Sequence, residues 1–497
     1  MANWGHGAVT ASSYAIAWQA EHTPPHIALA CAMAGIDWQP RPSMTVADLG
    51  CGRGYNANLL AAANPGWTVL GLDHDPSGIA EARQLAAQAG LSNSRFAEAD
   101  LAGMSLAEID SLPPLDIAII HGVWSWVSDE VRAGIVRLLA RRLKPGGVAY
   151  LGYNALPASG ADMALQRLLR QLAGPFGTGA GEAAAAAARA VARLRGMAGA
   201  LKLPRTPMLA RLLADPPVLE PSFVAHEFLT AHWRPVFQAD LCRELAAAKL
   251  DFVGSVNLFE ALPGMFCEPE QMAAMRRLGD GPAQEFLKDL CLPRGFRADV
   301  FIRGARQVDA AAALHGIWVA AIRALPEESP ALNTGASRGA MQQPVWAQIA
   351  GILRQGPARL GDIHAALGGA APHLAEILAM LVGTGCVLPL FQAGGPQAAA
   401  TRFNIAAAAA YAPHGEDLGN TPGQYGLATP HGLGGLPASA LDLAIVAALL
   451  EGTPTEPLAL ARRLQPLLEG ERLMTAQGRI AARLEEKLSI WQHFGVV

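Results

Sequence analysis

Paired cysteines, a surplus of basic charge and long apolar runs are all missing from this chain, and each absence removes a class of function. The six cysteines, Cys31, Cys51, Cys242, Cys267, Cys291 and Cys386, lie far apart with no CxxC spacing. Neither a disulfide framework nor a zinc site is expected, and no metal is assigned. They read as small buried hydrophobes in a reducing cytosol. Lys and Arg number 38 against 42 Asp and Glu, a formal charge of -4. That balance lacks the basic excess on which phosphate-backbone binding relies, so nucleic acid is not an expected partner. The most Ala-rich stretch, 183–200, is broken by Arg189, Arg193 and Arg195. It is not the run of about 20 apolar residues that a bilayer requires, so a soluble helix and no membrane insertion are expected. The first seven residues, MANWGHG, lack a cationic segment followed by an apolar one. A cytoplasmic location is the expectation.

What the chain does have is length and glycine. Its 497 residues leave room for roughly three domains. From about residue 45 to 153, short β-branched or apolar runs alternate with amphipathic stretches, the pattern of βαβ units and a parallel sheet. Five strands are placed at 45–49, 68–73, 94–98, 116–121 and 147–153, with helices near 55–63, 76–90 and 128–143. The last helix should stop at Lys144-Pro145-Gly146-Gly147. Two antiparallel strands should complete the sheet, at 250–258 after a helix over 238–249, and at 296–302. The expected fold is therefore α/β: a doubly wound Rossmann-like sheet over residues 1–156, a helical insertion at 157–230, and completion of the sheet within 231–325. After a polar linker near 326–343, residues 345–391, within a module at 340–400, read as three short helices and a strand, resembling a winged helix. Its third helix, 373–382, carries Glu376 and no Lys or Arg, so a packing role is favoured over DNA reading. Residues 401–497 read as a Gly/Pro-rich loop from 419 to 437 followed by helices.

The run from Val46 to Gly54, VADLGCGRG, sets Gly50, Gly52 and Gly54 where a strand turns into a helix, so that backbone can approach a ligand without a Cβ in the way. The spacing is GxGxG and not the dinucleotide GxGxxG. Asp48 just before the bend is placed to meet a cationic ligand end. Nineteen residues beyond Gly54, Asp73 closes the second strand ahead of His74, where it would accept both ribose hydroxyls. Asp100, followed by Leu101, is expected to end the third strand near the adenine amino group. Acids at successive strand ends face the carboxyl edge of the sheet, where doubly wound folds bind ligands. Together with Cys51 and His121, these residues form the expected S-adenosyl-L-methionine site.

The segment Ile119 to Val127 (IIHGVWSWV), Val131-Arg132 and Tyr153-Asn154-Ala155-Leu156-Pro157 resembles class I methyltransferases with a methyltransferase regulatory domain, among them rickettsial protein lysine methyltransferases that modify outer membrane proteins. Tyr14, Thr23-Pro24, His226-Glu227-Phe228-Leu229 and Pro235-Val236-Phe237 extend the resemblance to roughly residues 12–305. Those relatives usually carry Gly-Trp where Ala158-Ser159 stand here.

Methyl transfer from a sulfonium is an in-line displacement, so the protein has to align the nucleophile with the methyl group and exclude water. Residues at the ends of strands four and five should border the methyl: His121, Trp124, Tyr153 and Asn154. His121 would act as a base or hold the cofactor, Trp124 would wall the pocket with Trp126, and Tyr153 and Asn154 would orient the acceptor. His226 and Glu227 are expected to pack the insertion, with a role in substrate binding as the lesser alternative. The leading expectation is methyl transfer to a protein side chain such as lysine, the extra modules gripping a protein substrate or forming a homodimer interface. A small-molecule N- or O-methyltransferase and a non-catalytic cofactor-binding protein remain as alternatives.

Overall fold

The computed structural model describes the chain except residues 1–15, 178–179, 280, 392–396, 413–423, 432–433 and 469–471. Tyr14 therefore lies outside the described residues. Seven strands form one sheet: β1 (Thr45–Leu49), β2 (Thr68–Asp73), β3 (Ser94–Glu98), β4 (Leu115–His121), β5 (Leu143–Asn154), β6 (Asp251–Ser255) and β7 (Phe296–Ile302), in the order β3-β2-β1-β4-β5-β7-β6. The first five are parallel. Their interior is buried on both faces, which is why β4 is apolar at nearly every position until His121 reaches the edge.

Two expectations are corrected. Only β7 runs against the other strands: it is antiparallel to both β5 and β6, so β6 points the same way as β5. And β5 begins at Leu143, running straight through the Lys144-Pro145-Gly146-Gly147 segment expected to be a turn. Its pairing with β4 shifts register there, absorbing the proline and glycines as an irregularity.

The helices of the sheet region are α1 (Pro24–Met33), α2 (Tyr55–Ala63), α3 (Pro76–Gln88), α4 (Leu106–Ser111) and α5 (Asp129–Arg142). α1 has every residue but Met33 buried. A helix apolar all round belongs between layers, and α1 shares one continuous core with β1, β4 and β5 on one side and the 340–390 module on the other. The opposite face of the sheet packs α5 and the helix over Gln238–Leu245 around Trp124, Leu138 and Leu241.

Between β5 and β6 come α6 (Asp162–Ala173), α7 (Ala180–Met197), α8 (Pro207–Leu213), α9 (Pro221–Phe228) and α10 (Gln238–Leu245). α6 to α9 have a core of their own, into which α7 turns Ala183, Ala186, Ala187, Ala190 and Leu194. That spacing is one helical face, and its small side chains let neighbouring helices approach closely. α11 (Pro269–Leu278) and α12 (Pro282–Cys291) lead into β7, and α13 (Ala310–His315) follows it.

The winged-helix resemblance is larger than expected. β8 (Trp318–Ala321) is the middle strand between β11 (Ala358–Arg359) and β12 (Val387–Leu390), with α14 (Gln343–Arg354), α15 (Leu360–Leu367) and α16 (Leu374–Gly383) around them. α16 is buried from Leu374 through Leu381 except at Glu376, so it packs instead of presenting a reading face. The expected linker contains a hairpin, β9 (Ala331–Asn333) and β10 (Arg338–Ala340). The Gly/Pro-rich segment likewise holds a hairpin, β13 (Tyr425–Thr429) and β14 (Gly434–Ala438), joined by α17 (Gln397–Tyr411), α18 (Ala440–Leu450), α19 (Pro457–Leu464) and α20 (Leu473–His493) in a core that includes Tyr55 and Leu59 of α2. The Tyr55 hydroxyl donates to the Gly426 carbonyl at 2.7 Å. The helix that leaves the glycine bend is thus held from behind by the C-terminal region. Among the described residues, no helix is long and apolar enough to cross a membrane.

Candidate functional site

The bend after β1 is shaped by backbone needs. Gly50 has φ +85, and a Cβ there would meet Val123 Cγ2 at 2.3 Å, while its N–H donates to the Leu72 carbonyl at 2.7 Å. Gly52 has φ +52 with nothing within 4 Å of a Cβ position, so its backbone borders open space. Its N–H donates to Asp73 Oδ2 at 2.8 Å. The other oxygen, Oδ1, accepts from the Asp75 N–H at 2.9 Å and lies 3.2 Å from His74 Nδ1. Burial pushes the Asp73 carboxyl up, but these donors outweigh it and hold it below its ordinary value. The bond to Asp73 in turn raises His74, against its burial and with help from the charges of Asp73, Asp75 and Asp100. Asp75 is spent as the N-cap of α3, accepting from the Ser77 N–H at 2.9 Å.

Asp48 is 7% exposed, and no described residue donates a hydrogen bond to its carboxylate. Burial, then the charge of Asp73, pushes it up to about 7. A buried carboxylate without a counter-charge is unfavourable by itself and fits a ligand that brings a cation. S-adenosylmethionine carries an ammonium and a sulfonium, so the donor set suits it. Asp48, Cys51, Gly52, Asp73 and His74 are brought together as one cluster. Asp100 joins it through His74, but from the exposed turn after β3, which ends at Glu98 instead of at Asp100. Leu101 is buried in the core behind that turn.

On the acceptor side, His121 ends β4 opposite Gly152 of β5. Its Nδ1 is 3.0 Å from the Tyr150 hydroxyl, and its ring stacks on His22 with centroids 5.0 Å apart. Burial lowers His121 to about 4, and His22 is lowered by burial and by the neighbouring His121 and His26. Asn154, the last residue of β5, is tied to the loop after β4 by its N–H to Ser125 Oγ at 2.8 Å. Its Nδ2 donates to Glu227 Oε1 at 3.1 Å, and Trp233 Nε1 donates to the same oxygen at 3.3 Å.

Two residues expected at the acceptor sit elsewhere. Trp124 is wholly enclosed in the core under α5, with the Arg132 guanidinium 5.7 Å over its ring. Tyr153 alternates to the face opposite Tyr150, and its hydroxyl donates to Asp299 Oδ2 at 2.6 Å inside a buried network with Arg297 and Asp289. The period-2 alternation of β5 is the signal that could have separated Tyr150 from Tyr153. His22 gave no local signal, and Ser125 and Glu227 were marked by the resemblance without a place at the end of β5.

Glu227, near the end of α9, reaches Asn154 at the end of β5, and the preceding residue, His226, is close enough to feel the charge of Asp75 beyond β2. The insertion therefore meets the carboxyl edge of the sheet at the end of β5.

Comparison with known proteins agrees with this architecture. Residues 46–147 match the family described as "Methyltransferase domain", and residues 220–303 match "Predicted methyltransferase regulatory domain". An uncharacterized protein of Synechocystis sp. is 27% identical over 382 residues, covering 73% of this chain and 71% of its own. A trans-aconitate 2-methyltransferase of Methylobacterium nodulans is 35% identical over 144 residues, covering 29% of this chain and half of its own length. In fold, the chain is similar to PKMT2 from Rickettsia typhi, with a TM-score of 0.67 and 16% identity over 95% of this chain and 98% of that one; the same protein has been solved in complex with AdoHcy. With the sheet order, the glycine bend and the acid cluster all in place, the chain is a class I S-adenosylmethionine-dependent methyltransferase that carries a methyltransferase regulatory domain.

Proposed function

We propose that this methyltransferase acts on a protein side-chain amine such as that of lysine, the acceptor entering beneath the helical insertion. The observation that carries the reading is that α9 of the insertion brings a carboxylate, Glu227, onto the Asn154 amide at the end of β5. Further support comes from the extent of likeness: the architecture of PKMT2 is shared over 98% of that chain, whereas the small-molecule relative matches 144 residues, 29% of this chain. In this reading Asp48 faces the cationic end of the cofactor, Cys51 and Gly52 border it at a bend whose close packing on Val123 and Ala82 requires Gly50 and Gly54, Asp73 and His74 take the ribose, and Asp100 borders the adenine with Leu101 packed behind it. When bound, the cofactor supplies a methyl group on a sulfonium. His121, neutral and held by Tyr150, lines the reacting side without adding charge, Asn154 orients the acceptor, and α9 keeps water out.

The 35% identity of the trans-aconitate enzyme in the core favours a second reading, a small-molecule acceptor, with the outer modules forming a homodimer interface. Incubation of the protein with tritiated cofactor and a bacterial extract, followed by separation by size, distinguishes the two. Label in the protein fraction, recovered as methyl-lysine after hydrolysis, is the expected result. Label confined to small molecules removes the protein reading.

A further inference from the structure

We propose that Glu227 is a catalytic residue, the carboxylate that anchors the acceptor's ammonium and takes its proton before transfer. The inference rests on the reading of an amine acceptor. Among the described residues, Glu227 forms no ion pair, although it is held in place by two donors on the same oxygen, Asn154 Nδ2 and Trp233 Nε1. A carboxylate fixed on one oxygen, with the other left for a partner and no cation opposite, is arranged for an incoming cation. The groups facing it are Asn154 from β5, Trp233 from the segment after α9 and, by charge, Asp162 at the start of α6. None of them neutralises it. Burial, joined by Asp162 and opposed by the two donors, raises Glu227 above the ordinary carboxylate range, toward the pH at which a proton can be exchanged. His121, at the end of β4, is held at about 4 by burial, and its Nδ1 is taken up by Tyr150.

The step balances. An ammonium N–H bond breaks as the Glu227 O–H bond forms, leaving a neutral amine. The nitrogen lone pair then bonds to the methyl carbon while the sulfur keeps the electron pair of the S–C bond. The methylated ammonium and the carboxylic acid afterwards return their protons to solvent. A free lysine amine with a pKa near 10.4 is neutral in only about one molecule in 2,500 at about pH 7, so its proton has to be removed within the site before transfer.

Glu227→Gln in the full chain keeps an oxygen for Asn154 and Trp233 and removes the charge. The expected result is a loss of methyl-lysine formation by about 100- to 1,000-fold near pH 7, with recovery of about tenfold per pH unit above it as the amine deprotonates by itself. S-adenosylhomocysteine affinity by calorimetry and the unfolding midpoint should match wild type. A variant rate within about threefold of wild type near pH 7 overturns the role of Glu227 and leaves the protein reading standing. A large loss with no recovery at high pH overturns the proton-taking role. Wild-type label found only on small carboxylic acids overturns both.

Discussion

Removing the Asp73 carboxylate tests the cofactor cluster most directly. A carboxylate has about four lone-pair positions. Three are engaged, by the N–H groups of Gly52 and Asp75 and by His74. One position remains, on Oδ2, so Asp73 can receive one ribose hydroxyl, and the sequence-based expectation that it holds both is reduced to one, with His74 beside it for the other. A charge-assisted hydrogen bond contributes about 1.5–3 kcal/mol. At 1.4 kcal/mol per factor of ten, Asp73→Ala should weaken S-adenosylhomocysteine binding roughly 10- to 150-fold. The fold is also touched, because the substitution strips two backbone donors of their acceptor. Gly52 borders open space where water can replace Asp73, so the cost in stability should stay near ~1–3 kcal/mol. Asp73→Asn retains one acceptor oxygen but not the charge, and the His74 imidazole, no longer beside a carboxylate, should titrate lower. Isothermal calorimetry, thermal unfolding and proton NMR of His74 read these three effects separately. Wild-type affinity in Asp73→Ala would refute the placement of the cofactor against this cluster.

Asp48→Asn should move stability and binding in opposite directions. The folded carboxyl is raised to about 7, so its ionised form penalises the cofactor-free fold above that pH; the variant should melt higher near pH 8 yet bind cofactor more weakly. Wild-type affinity should fall as pH drops below about 7, a slope that the variant lacks; calorimetry across pH that finds the same slope in both would exclude Asp48 as the counter-charge. Burial lowers both His26 and His121 to about 4, well under the ordinary ~6.5, so their neutral forms favour the fold above 6.5 and stability is lost as pH falls from there toward 4. Each contributes about 1.4 kcal/mol per pH unit in that window, and urea midpoints of His26→Gln should show a slope shallower by one proton. Trp124→Phe should cost ~1–3 kcal/mol through lost packing under Arg132 and leave cofactor affinity unchanged; weakened binding at wild-type stability would return Trp124 to the pocket.

The sequence was informative where its signals are local. β1, β2 and β4 are buried on both faces, so they appear as short apolar runs between glycine, proline and polar punctuation. The cofactor cluster comes from consecutive strand-to-helix turns within residues 48–100, and each turn carries its own glycine or acid. α1 was missed because a helix buried on all sides has no periodicity to detect, and β9, β10, β13 and β14 because strands of three to five residues carry too little alternation.

The acceptor side is different in kind. His22, His121 and Tyr150 meet from an N-terminal turn and two strands, while Glu227 comes to Asn154 from an inserted helix. No spacing within the chain fixes where that helix lies. What Glu227 faces is therefore legible only once Asn154 is seen 3.1 Å away. A few successive turns are enough to specify the acid and glycine cluster, whereas the end of β5 depends on which distant segment is laid against it. In the proposed reading acceptor choice belongs to the insertion, and variants in α9 should alter which substrate is methylated before they alter whether the cofactor binds.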